Sequence, residues 1–333
     1  MTTTRNPQSA AADTPAAAPE FSFRNYRQLL RASFKSADTE EWLDVWFTRP
    51  VGLFLALLCG RVGITPNAIT IFGIVVGAAS GWFFHFTDLQ SNIIGVLMLM
   101  TANFCDSADG QLARLTGQKS LLGRMLDGFA SDAWFFCVYL AVIVRLWPSW
   151  GPWGFLLCAV AGLYCHSTQC ALADYYRQIH LYFLQGAAGS ELATFRREQQ
   201  AYEAAKARGW SFERIYRFFY KGYCRKQERL TPAFQAMFAR LTGGQAELSY
   251  GDNFPASWSA DRFLAVSRRL MPMTNILTHN TRATVLFFAV IVNIPWVYPL
   301  FEIVVLQPLC WYMRYRHERL CREMSNTLAS LQQ

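Results

Sequence analysis

Asp106-Ser-Ala-Asp109-Gly110-Gln-Leu-Ala113-Arg114, followed after eight residues by Gly123-Arg-Met-Leu-Asp127 and then by Ser131-Asp132, is the stretch that decides how this chain is read. Its four aspartates lie inside otherwise apolar sequence. Ionised side chains are costly in lipid, and where they occur there they line a polar pathway or a site. Asp106 and Asp109 are three apart and share a helix face. Gly110 and Ala113 keep that face uncrowded, so a ligand can approach the backbone closely. Arg114 is a permanent cation shaped for bidentate contact with phosphate. Gly123 and Asp127, four apart, repeat the pattern of a small residue one turn below a carboxylate. Such acidic groups suit a hard divalent cation, Mg²⁺ or Mn²⁺. The expected chemistry is a pair of metal ions, held by carboxylates from two helices, gripping a pyrophosphate at the edge of a membrane. The competing reading is a structural ion-pair network with Arg114, Arg124 and Arg145.

Asp132 fits this pattern less simply. Five positions after Asp127, it is rotated by roughly 140° on a regular helix. A one-residue π-bulge brings it round; without one, Ser131 or a water faces the carboxylates in its place.

Working outward, the 333 residues are 53% hydrophobic and 15% aromatic, with 16% charged and a net charge of +8. The mean hydropathy is +0.13. The charged fraction falls below the roughly 25% of soluble domains. A basic balance points to nucleic acid or a membrane surface. The apolar runs select the membrane, and no nucleic-acid motif is present. The nine cysteines form no CxxC pair and mostly sit in apolar stretches, where cysteine acts as a small hydrophobe. Cys165, His166 and Cys170 lack the spacing of a structural zinc site.

Six membrane spans are expected, at about 67–87, 91–107, 119–147, 154–177, 276–294 and 297–313, the last two short and the last carrying Glu302. Thr65 or Asn67 caps the first, with Pro66 in its first turn. Trp147, Trp150 and Trp153 mark an aromatic belt at the far side. The fold class is therefore an all-α integral membrane bundle of six helices. Residues 1–20 read as a disordered tail, 21–63 as juxtamembrane and interfacial helices, and 64–178 as spans one to four. Residues 179–275 form a cytosolic amphipathic insert, 276–316 spans five and six, and 317–333 a cytosolic tail. The insert holds 14 Lys+Arg against 8 Asp+Glu. Its aromatic and basic segment 210–229 suits a helix on anionic lipid, or one packed on the rest of the protein. The positive-inside bias then places both termini and the acidic cluster in the cytosol, at the inner membrane if the source is bacterial.

The ordered acidic set resembles the signature of the CDP-alcohol phosphotransferase superfamily, D-x2-D-G-x2-A-R-x8-G-x3-D-x3-D. Every element through Asp127 matches, and the resemblance covers the motif and the span layout, about two-thirds of the chain. It implies a dimeric six-helix membrane core and transfer of a phosphate-linked group from a CDP-alcohol to a second alcohol, with release of CMP. Carried over by position, Asp106, Asp109 and Asp127 bind two metal ions, Mg²⁺ or Mn²⁺. Asp106, Gly110, Ala113, Arg114 and Gly123 line the nucleotide site, and Asn67 lies near it. The last aspartate of the signature, a metal ligand and general base, falls at Ser131 here. Asp132 follows it and takes over both roles if the helix bulges, since a base need only reach the acceptor hydroxyl.

The acceptor pocket is expected at the cytosolic ends of the later spans, among Arg124, His166, Gln169, Asp174, Arg177, His279, Asn280 and Arg282. Interhelical hydrogen bonds are the competing role for His166 and Gln169. Arginines suit an anionic polyol phosphate better than choline, which favours an aromatic cage. The expected reaction takes CDP-diacylglycerol and an inositol, inositol phosphate or glycerol phosphate acceptor. The alternatives are a CDP-choline or CDP-ethanolamine donor with a lipid alcohol, a catalytically impaired lipid or nucleotide binder, and an ion-coupled transporter.

Overall fold

A computed structural model describes residues 23–34, 36, 38–118, 120–243 and 258–330. The expected N-terminal tail, Lys119 and 244–257 of the insert lie outside the described residues. The described chain is helical, with no strand among its residues. Near the N-terminus come α1 (Tyr26–Ser33) and α2 (Arg49–Arg61), the latter entered through a π-helical turn at Asp44–Thr48. Next come α3 (Pro66–Phe84), α4 (Leu89–Thr116) and α5 (Leu121–Trp150). Local chemistry sets their ends. Thr65 caps α3, accepting from Ala68 N at 3.4 Å, with Pro66 at the first helical position. Asp88 caps α4 through Ser91 N at 2.8 Å. Gly117, at φ +69°, ends α4 in the left-handed conformation that glycine adopts without strain. Ser120 then starts α5, accepting from Gly123 N at 2.9 Å.

α3 lies between α4 and α5, and its glycines explain how. A Cβ on Gly77 would sit 2.3 Å from the Trp134 ring of α5, and one on Gly73 would sit 3.0 Å from Cys105 of α4. The bare backbone lets the indole lie across α3, where Trp134 Nε1 donates to Gly73 O at 3.1 Å. Small residues at a helix interface permit this approach where lipid supplies no hydrophobic drive between helices.

α6 (Pro152–Ala159) and α7 (Ser167–Gln185) are joined by a π-helical turn, Val160–His166, into one 34-residue unit. The insert folds as α8 (Phe195–Ala207), α9 (Phe212–Leu230), α10 (Pro232–Leu241) and α11 (Ala260–Ile276). α12 (His279–Ile291) follows, then α13 (Val297–Phe301), a π-helical turn at Glu302–Leu306, and α14 (Gln307–Ser330).

Three units among the described residues are long and apolar enough to cross a membrane: Pro66–Phe84, Leu121–Trp150 and Pro152–Gln185. Six were expected. The other candidates fall short by length or polarity: α12 has 13 residues, α4 ends in the acidic motif, and α14 is polar over most of its length. The qualifying helices turn Phe72, Val75, Trp82, Leu140, Val144 and Leu163 outward, the exposure that lipid accommodates and water does not.

Residues 317–330, expected as a tail, continue α14 into a packed cluster. His317 stacks on Tyr176 at 3.9 Å, and Glu318 accepts from Ala233 N and Phe234 N at 2.7 and 3.4 Å, capping α10 from another helix. Helix α9 packs one face on α7 and α8. Tyr223 and Gln227 reach Asp174 at 3.2 and 3.3 Å, and Arg217 pairs with Glu198 at 2.7 Å. Its other face leaves Phe212, Ile215 and Phe219 exposed, as is Trp210 just before the helix.

Candidate active site

The start of α3 and the facing ends of α4 and α5 form one polar mouth. Asp106, Asp109, Gly110 and Ala113 share a face of α4 because their spacings of three, four and seven return to one side of a helix. On the adjoining flank, Ser107 and Gln111 are buried against α2. The carboxylates of Asp106 and Asp127 are close enough across the mouth for each charge to act on the other. Asp109 is 4% exposed, beside Thr70 and Arg114, and its Oδ2 has no partner among the described residues. Arg114 folds back over Gly110, its Nη1 3.3 Å from where a Cβ there would stand. Its Nε and Nη2 are buried without a partner. A buried acceptor and two buried donors left unmade cost free energy, and each is satisfied by a ligand that brings a cation to the carboxylates and an anion to the guanidinium.

Asn67 sits on the first turn of α3, where Ser120 Oγ donates to its Oδ1 at 3.3 Å. Gly123 is what lets it in: a Cβ there would lie 2.8 Å from Asn67 Oδ1. Asn67 and Gly123, 56 positions apart in the chain, are thus brought together at the base of the mouth. Thr70 and Ser120 belong to the same mouth and were missed by the motif. Their sequence signal was slight, a threonine one turn after Asn67 and a serine three before Gly123.

α5 is regular α-helix from Leu121 to Trp150, so the π-bulge expected between Asp127 and Asp132 is not there. Asp132 is exposed on a different flank, with His166 as its nearest influential charge. Ser131 is half-buried beside it. The π-helical turns occur elsewhere, and the one at Val160–His166 rotates His166 into the bundle.

The expected acceptor residues divide into two groups. His166, Gln169 and Arg282 are buried in a network closed by Glu302. Glu302 is fully buried and accepts from Tyr139 Oη at 2.6 Å, Tyr298 Oη at 2.9 Å, Arg282 Nε at 3.1 Å and His166 Nδ1 at 3.3 Å. Arg282 Nη2 donates to Gln169 Oε1 at 2.5 Å, and its Nη1 donates to Leu277 O. With all its partners inside the bundle, Arg282 is an internal counter-charge. Arg177 donates to Asn275 Oδ1 at 3.0 Å, and Asn280 to Glu41 and Asp44. His279 packs against Trp134 and Phe135, its Nδ1 unpartnered. Arg124 stands exposed on the first turn of α5. Arg145 belongs to the far end: it joins Phe84 O, Asn92, Val290 O and Asn293, about 27 Å along α5 from Asp127. It takes no part in the acidic cluster.

Comparison with known proteins bears on this mouth directly. Residues 63–183 match the CDP-alcohol phosphatidyltransferase family. The similarity to that family is confined to this segment of the chain. All four aspartates, Asn67 and Arg114 fall inside the matched region, whereas α8–α14 and everything before residue 63 fall outside it. The chain is similar to an archaetidylinositol phosphate synthase of Pyrococcus horikoshii, 39% identical over 66 residues, covering 20% of this chain and 34% of that protein. It is also similar to an uncharacterized protein of Aquifex aeolicus, 34% identical over 68 residues, covering 20% of this chain and 33% of that one. The chain thus spans about a third of the length of the curated relatives it matches.

Among the described residues no group of three or more His, Cys, Asp or Glu side chains is arranged to hold a metal ion. The donor chemistry nevertheless fits a hard divalent cation, with oxygen ligands only and one buried carboxylate oxygen unpartnered. The nine cysteines are free, and Cys165, His166 and Cys170 do not form a metal group.

Proposed function

We propose that this protein moves a phosphatidyl-type substituted phosphate from a CDP-alcohol, CDP-diacylglycerol, to a polar alcohol such as inositol, inositol phosphate or glycerol phosphate, releasing CMP. The observation that carries the reading is the mouth itself: partnerless Asp109 Oδ2 and Arg114 N–H groups facing one space, inside the segment that matches this family. Asp106, Asp109 and Asp127 would hold Mg²⁺ or Mn²⁺, whose charge neutralises the diphosphate. Arg114 grips a phosphate oxygen over Gly110, where no side chain intervenes. Asn67 and Gly123 border the nucleotide at the base of the mouth. The acceptor oxygen forms a bond to the phosphorus bearing the lipid alcohol. The bond from that phosphorus to the bridging oxygen breaks, and CMP leaves with the electron pair. The acceptor's proton passes to a water at the mouth, which takes the place of Asp132 on its different flank of α5.

In this reading α4, α12 and the α13–α14 unit complete six crossings. The mouth and both termini then face the cytosol, and the protein works as a homodimer. The relative named an archaetidylinositol phosphate synthase favours a phosphorylated inositol as acceptor. The test is CMP release by the detergent-purified protein given CDP-diacylglycerol and Mn²⁺, with acceptor alcohols supplied singly. Release with one acceptor is expected. Release only from CDP-choline or CDP-ethanolamine with diacylglycerol would overturn the donor assignment, and no release from any pair would overturn the transferase reading.

A further inference from the structure

Before the matched domain, residues 38–49 form a strap across the molecule. Asp38 accepts from Arg268 Nε at 2.8 Å and meets His180 Nε2 at 3.2 Å. Glu41 accepts from Asn280 Nδ2 at 2.7 Å and from Thr278. These contacts anchor the strap to α7, α11 and α12. It ends at Arg49, the first residue of α2. Helix α2 lies hard against α4 at the acidic motif, since a Cβ on Gly52 would fall 2.5 Å from Ser107 Oγ. The carbonyl of Arg49 accepts from Gln111 Nε2 at 3.0 Å, and Gln111 sits between Asp109 and Arg114. The Arg49 guanidinium is close enough to Asp106 and Arg114 for its charge to act on both.

Glu40 holds that guanidinium by two bonds, Nε to Oε2 at 3.2 Å and Nη2 to Oε1 at 3.0 Å. The carboxylate is 6% exposed and the guanidinium 16%. Arginine has five N–H groups in a rigid fork. The carboxylate takes one edge, and Nη1 donates to no described residue. The two guanidinium charges repel one another, and Glu40 is one anion that offsets both. Arg114 contributes the second, with Nε and Nη2 partnerless.

We propose that Arg49, aimed by Glu40, binds a substrate phosphate through Nη1, completing with Arg114 a two-arginine phosphate site. This rests on the transferase reading for the identity of the substrate, and the phosphate is either the donor's diphosphate or the acceptor's phosphomonoester. Arg49 would be a binding residue and Glu40 a positioning residue.

The test uses the full-length protein in detergent with Mn²⁺, measuring by calorimetry the binding of CDP, of glycerol 3-phosphate and of inositol 1-phosphate, with cytidine as the phosphate-free control. Arg49→Gln should weaken the phosphate ligand it touches by about 10- to 100-fold, the worth of a charge-assisted hydrogen bond, and leave cytidine unchanged. Arg49→Lys, which keeps the charge and loses the fork, should recover part of that loss. Glu40→Gln should weaken the same ligand by about threefold to tenfold. A loss for CDP alone assigns Arg49 to the donor, and a loss for a phosphomonoester alone assigns it to the acceptor. Binding of every phosphate within twofold of wild type, with a lowered melting temperature, would show a structural staple and overturn the proposal. Failure of the wild type to bind any phosphate ligand would overturn it too. If the wild type binds CDP in an Arg49-dependent way yet releases no CMP from any substrate pair, the transferase reading falls and the phosphate site stands.

Discussion

Glu302→Gln is the substitution that the buried network makes most costly. The glutamate and Arg282 are both fully buried, and four donors converge on the carboxylate, from Tyr139, Tyr298, Arg282 and His166. Glutamine preserves the shape and removes the charge. It has one acceptor oxygen in place of two, and its amide nitrogen would point donors at donors. Arg282 would then be a buried cation without its counter-ion, a loss of about 3–5 kcal/mol. Scaling the roughly 2–4 °C per kcal/mol of 150–250-residue chains to 333 residues gives about 1–3 °C per kcal/mol, so the melting temperature should fall by about 3–15 °C. The assay is thermal unfolding in one detergent at one scan rate, because heat unfolding of such proteins is often irreversible and rate-dependent. The double variant Arg282→Met with Glu302→Met should recover part of the loss, since it removes the unpaired buried charge but leaves Tyr139, Tyr298 and His166 without their acceptor. A single variant within 2 °C of wild type, with the double variant no better, would refute the reasoning.

Asp109→Asn and Asp127→Asn should each lower CMP release by at least about 100-fold, beyond the 10- to 100-fold seen for outer-shell partners of a metal, while the melting temperature holds; activity near wild type in either would remove the metal-pair reading. Gly77→Ala should lower stability by about 1–3 kcal/mol through overpacking against Trp134, outweighing the helix propensity gained; adding Trp134→Leu should restore part of it in the same melt. Burial pushes His317 down to about 3. Its folded pKa lies below the unfolded value near 6.5, so the unfolded state binds the extra proton between about pH 6.5 and 3. Stability should therefore fall as pH drops through that window, by up to about 1.4 kcal/mol per pH unit, and a His317→Phe variant should lose less between pH 7 and 5.

The acidic motif was legible without coordinates because its chemistry is local. Helical spacing alone places Asp106, Asp109, Gly110 and Ala113 on one face, and Gly123 one turn from Asp127. The caps at Thr65 and Ser120 and the left-handed stop at Gly117 are likewise set by residues within one turn of where they act. Composition and the long apolar runs pointed to an all-helical membrane protein, and the ordered motif to the family that residues 63–183 match.

Pairings over long sequence separation were decided by the tertiary structure. Nothing local predicts that Asn67 meets Ser120, or that Glu40 aims Arg49 toward a motif 60 residues on. The expected acceptor residues His166, Gln169 and Arg282 are polar residues near the ends of the expected spans. The structure buries them instead, because a charge inside the bundle must find a counter-charge, and Glu302 supplies it. Asp132 is a further case, since whether a helix bulges depends on its neighbours, and α5 stays regular. The 317–330 segment read as a tail for want of a long apolar run. Its apolar residues, among them Leu320, Met324 and Leu328, are spaced for a helix that buries one face, and only α7, α10 and α11 provide the surface that buries it. Spacing within a helix thus fixed which residues share a face; which face meets which depended on packing between helices distant in the chain.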